Sequence, residues 1–104
     1  MATILRVEGT SETIIPGRGY WELAELQALV GGWIEIVQTL DGRFLVIDEE
    51  GKLKKKPLNI EATKLYLFGR HDPIVGTAVL IDTKKEMDKP EEEDDATEDS
   101  NDEN

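Results

Sequence analysis

Trp33-Ile34-Glu35-Ile36-Val37-Gln38-Thr39-Leu40, then Asp41-Gly42, then Arg43-Phe44-Leu45-Val46-Ile47-Asp48 is the stretch that decides the fold. Two runs rich in β-branched and aromatic residues meet at a dipeptide that favours positive φ. That arrangement predicts a β-hairpin closed by a two-residue turn.

Upstream of the hairpin, Trp21, Leu23, Leu26, Leu29 and Val30 recur at helical spacing. A helix over residues 20–30 follows, stopped by Gly31-Gly32 with the first glycine at the left-handed cap. Residues 9–19 are polar and broken by Pro16-Gly17, so they read as a connection that extends the sheet edge near Thr13-Ile14-Ile15. Before them residues 2–8 read as a strand, with Ala2 and Ile4 on one face and Leu5 and Val7 on the other.

Downstream, Glu49-Glu50-Gly51 reads as a turn into a short edge strand or extended arm over residues 52–56, whose lysines discourage edge pairing. Asn59 is a good N-cap for a second helix over residues 60–68, ending at or before Gly69. Residues 74–81 form an apolar run suited to a buried strand, with Gly76 marking a bulge or a close contact. The resulting class is α+β: a single small, mostly antiparallel sheet with two helices on one face.

Charge divides the chain into two regions. Its net charge is −11, yet residues 1–85 hold 12 acidic and 11 basic side chains, whereas residues 86–104 hold 11 acids and Lys89. One folded domain is therefore expected over residues 1–85, with a disordered acidic tail over 86–104. The chain has no cysteine, which excludes disulfides, thiolate metal sites and cysteine nucleophiles. Residues 1–8 lack a charged leader with an apolar run, and no stretch has the length of a membrane span, so a cytoplasmic protein of a bacterial host cell is expected.

Catalytic chemistry finds little footing. His71 beside Asp72 and the strand residue Glu35 are the acid–base candidates, but Arg70-His71-Asp72-Pro73 is a turn sequence and Glu35 fits the solvent face of a strand. Asp48, Glu49 and Glu50 lack the ligand spacing of a calcium loop, and no phosphate-cradling glycine motif is present. No enzyme, cofactor or metal is expected.

Binding is better represented. Lys54 and Lys56, with Arg70 nearby, could hold an anion, although the near-neutral domain and few aromatics argue against direct nucleic-acid binding. Trp21 and Trp33 flank one helix and suit either an interface or the core.

The blocks at residues 20–37, 46–53, 59–63 and 74–79 resemble a family of unknown function found in bacteriophages, prophages and bacterial mobile elements. The likeness spans residues 19–82 and leaves the tail outside. It implies a small α+β domain and carries over no activity. Its matching polar positions include Glu35, Asn59 and Thr63.

With Trp33, Lys54, Lys56 and Arg70 these residues make up the candidate binding set. The leading expectation is a non-enzymatic accessory protein of a phage or mobile element that binds a host protein or a small anionic ligand, in the service of counter-defence. The alternative is a regulatory or structural interaction module with an inert solubilising tail; either leaves a homo-oligomer open.

Overall fold

The computed structural model describes residues 1–82. The acidic tail, with the expectation of its disorder, lies outside the described residues. Seven elements follow in chain order: β1 (Ala2–Leu5), β2 (Ser11–Ile14), α1 (Leu23–Val30), β3 (Ile34–Gln38), β4 (Phe44–Asp48), α2 (Ile60–Leu65) and β5 (Ala78–Ile81). The strands form one sheet in the order β2-β1-β5-β4-β3, with every neighbouring pair antiparallel.

The last strand thus occupies the centre. All four residues of β5 are buried, and a strand that is apolar on both faces is stable only where both faces are covered. β4, buried from Leu45 to Asp48, lies beside it for the same reason.

The α+β class stands, but the two helices cover opposite faces rather than one. Trp21, Leu26 and Val30 of the α1 region pack with Ala2, Val46, Val79 and Ile81. Ala62 of α2 packs with Leu5, Leu45, Ile47, Ala78 and Leu80. These two sets alternate along β4 and β5, so they point to opposite sides of the sheet. Unbroken apolar runs in both strands leave two faces to cover, and one helix goes to each.

The hairpin forms with a different turn. Thr39 N–H donates to the Arg43 carbonyl at 2.9 Å and Gly42 N–H to the Thr39 carbonyl at 3.2 Å, which leaves a three-residue loop with Gly42 at φ 88°. Side chains select this geometry over the expected two-residue turn. Thr39 Oγ1 accepts the Arg43 N–H at 2.8 Å and donates to Asp41 Oδ1 at 2.5 Å, and the Arg43 guanidinium closes back on Asp41.

Other elements depart from expectation: β1 ends at Leu5 rather than at residue 8, and β5 begins at Ala78 rather than at residue 74. Residues 52–56 are neither strand nor extended arm: Lys54 N–H bonds the Glu50 carbonyl and Lys56 N–H the Gly51 carbonyl, with Lys55 at φ 57°. α1 begins at Leu23, capped where the Glu22 N–H donates to Glu25 Oε1 at 3.0 Å. α2 stops at Leu65 because the next residues join the outer side of β3. Leu67 N–H bonds the Gln38 carbonyl, and Leu40 N–H the Leu65 carbonyl, each at 2.9 Å.

Candidate functional site

The lysine run turns inward. Asp48 is paired with Ile34 and so faces α1, where its Oδ2 lies 2.8 Å from Lys54 Nζ and 2.7 Å from Lys56 Nζ. The same ammonium groups donate to the last carbonyls of α1: Lys54 to Gly31 at 3.1 Å and Lys56 to Val30 at 2.7 Å. Those carbonyls carry the negative end of the helix dipole, so each lysine bridges two negative centres. Burial pushes the Asp48 carboxyl up, but the two lysines and the Glu50 N–H outweigh it and hold the group at about 2. Lys54 and Lys56 therefore serve first as a clasp between the β4 end and α1.

Asn59 and Thr63 form a second internal node. Asn59 is fully buried; its Nδ2 donates to the Leu5 carbonyl at 2.9 Å and the Gly76 carbonyl at 2.8 Å, and its Oδ1 accepts the Ala62 N–H at 3.0 Å. The helix cap expected from sequence is thus joined to ties to β1 and the approach to β5. Thr63 Oγ1 donates to the Asn59 carbonyl at 2.7 Å and accepts the Ile74 N–H at 2.8 Å. Both polar side chains hold the α2 face together from within.

Glu35 and Trp33 lie elsewhere. Glu35, opposite Ile47, helps line a small cleft on the α2 face with Glu49, Lys52, Asp72, Tyr66 and an apolar wall of Val37, Ile47 and Ile74. Its volume of about 80 Å³ accommodates one side-chain stem and is far below the roughly 300 Å³ at which small-molecule pockets begin. Lys52 is ion-paired to Asp72. Glu35 and Glu49 have no ion pair among the described residues. Trp33 is 64% exposed while Trp21 is in the core at 5%, so Trp21 alone takes the core place that either could have filled. Arg70 is exposed in the turn after α2, also without an ion pair among the described residues.

A feature that single residues did not reveal is the outer edge of β3. Glu49 N–H donates to the Trp33 carbonyl and Thr39 N–H to the Arg43 carbonyl, so odd-numbered residues face β4. The backbone groups of Ile34 and Ile36 therefore point away from the sheet. Residues 65–67 cover only the far end of this edge. Exposed apolar side chains border it at Trp33, Ile36, Leu40, Leu67 and Phe68. Its sequence signal was the hairpin itself, whose first strand carries the polar residues Glu35 and Gln38.

The candidate residues thus fall into separate groups: the Lys54–Lys56 clasp, the Asn59–Thr63 node, Trp33 with Glu35 on the β3 edge, and Arg70 in the turn after α2. A family model described as domain of unknown function (DUF3846) matches residues 2–99. The chain belongs to that family. The DUF3846 match runs past both ends of the 19–82 likeness and reaches into the acidic segment. No curated protein and no solved structure matches the chain. In this DUF3846 member, no helix among the described residues is long and apolar enough to cross a membrane.

Proposed function

We propose that this protein is a non-enzymatic accessory protein of a phage or mobile element that binds a host protein in the bacterial cytoplasm through the outer edge of β3, blunting a host defence. The open backbone groups of Ile34 and Ile36, bordered by exposed Trp33, carry this reading: an unpaired edge with an apolar border is a template for a further strand. The phage setting rests on the family resemblance. A small anionic ligand is the weaker choice, because Lys54 and Lys56 are committed to Asp48 and the end of α1.

Salt distinguishes docking at the edge from docking through the acidic segment. Binding through ten net negative charges collapses as salt rises, whereas strand addition with apolar contacts persists.

Affinity capture from bacterial lysate with the full chain tests the proposal, comparing wild type with Ile36→Pro and Trp33→Ala in low and high salt. The expected result is one protein retained by wild type in both salts and lost from both variants. Retention by both variants, or loss only in high salt, overturns docking at the edge.

A further inference from the structure

We infer that the strand accepted by the β3 edge alternates apolar and basic residues, with its basic side chains on the Glu35 side. This rests on the edge-docking reading above and adds the chemistry of the partner. A strand added to β3 continues the pleat, so residues opposite Ile34 and Ile36 project toward the α1 face and those between them project beside Glu35. On the α1 side they meet Ile34, packed against the α1 cluster, and Ile36, 43% exposed. Apolar residues fit there.

On the other side they lie beside Glu35, with Glu49 across β3 on the β4 side, and both carboxylates share the cleft wall with Val37, Ile47 and Tyr66. Neither carboxylate is ion-paired among the described residues, and the one lysine lining the cleft is bound to Asp72. An apolar wall under two carboxylates suits a lysine or arginine, whose stem packs while its head stays at the rim. The protein's own acidic segment has the wrong sign for this face. A second copy centred on Glu35 sets like charges against each other.

The test uses the full ¹⁵N-labelled chain and two synthetic eight-residue peptides, one alternating valine and lysine, the other valine and glutamate. The valine–lysine peptide is expected to shift the amides of Ile34 and Ile36 and to bind about tenfold more tightly, within the range for two exposed ion pairs. Glu35→Lys is expected to reverse the preference, and methylating alternate peptide amides to abolish binding.

Equal binding of both peptides with shifts at Ile34 and Ile36 overturns the inferred chemistry and leaves the edge as the docking site. Absence of shifts there with either peptide overturns both. A concentration-dependent dimer of the chain alone that Ile36→Pro dissolves overturns the inference in favour of a second copy.

Discussion

Replacing Asp48 with Asn removes the negative centre of the clasp while keeping its shape. The carboxylate is 1% exposed and accepts from two ammonium groups at 2.7 and 2.8 Å. Hydrogen bonds to charged groups contribute about 1.5–3 kcal/mol each, and truncating one member of a buried ion pair is costlier than an isolated estimate suggests. Two facts reduce the loss: both lysines keep a helix carbonyl, and their side chains are 38% and 23% exposed, so water can reach them.

A destabilisation of about 2 kcal/mol follows, equivalent to a fall in Tm of roughly 10 °C for a domain of this size. Urea denaturation at pH 7 measures it directly. Because the folded-state pKa is held down at about 2, this stabilisation is present above the ordinary carboxylate pKa near ~4 and is lost as pH falls from there through the folded value. The gap between wild type and Asp48→Asn should therefore narrow below about pH 4 and close only below about pH 2. A difference at pH 7 below about 0.5 kcal/mol, within the range of ordinary surface substitutions, or an unchanged gap at low pH, refutes the clasp.

Asn59→Asp turns a donor toward the Leu5 and Gly76 carbonyls into an acceptor, and the loss should reach about 3 kcal/mol or prevent folding, read by thermal melts. Gly76→Ala is expected to cost about 1–2 kcal/mol in urea titration, since φ is 79° and the new Cβ would lie 2.7 Å from Lys56 Cδ. Ile36→Pro removes only an outward N–H and should keep the circular dichroism spectrum, with stability within about 1 kcal/mol of wild type; unfolding would show that the edge assignment is wrong.

Several parts of this molecule are legible locally. The β3–β4 hairpin, the α1 stop at Gly31, the Asn59 cap and the buried β5 run each rest on interactions within a few residues. Hydrophobic period, capping chemistry and turn preference therefore suffice to find them. The hairpin loop differs from the local expectation because Thr39 and Arg43 reorganise the turn around Asp41, a side-chain effect that the Asp-Gly preference does not contain. α2 is shorter than its apolar pattern because its end is set by pairing beside β3. The lysine run looks like an edge or an anion site in sequence because the helix carbonyls that fix its course, Val30 and Gly31, lie more than twenty positions away in the chain.

By itself the sequence determined the α+β class, the identity of the main elements and the concentration of negative charge at the C-terminal end. Tertiary structure alone decided that β5 enters the centre of the sheet, that the helices take opposite faces, and which polar groups remain on the β3 edge. The physical reason is that periodicity records which side of an element seeks cover. The element that provides the cover is chosen by competition among apolar faces and buried polar partners distant in the chain.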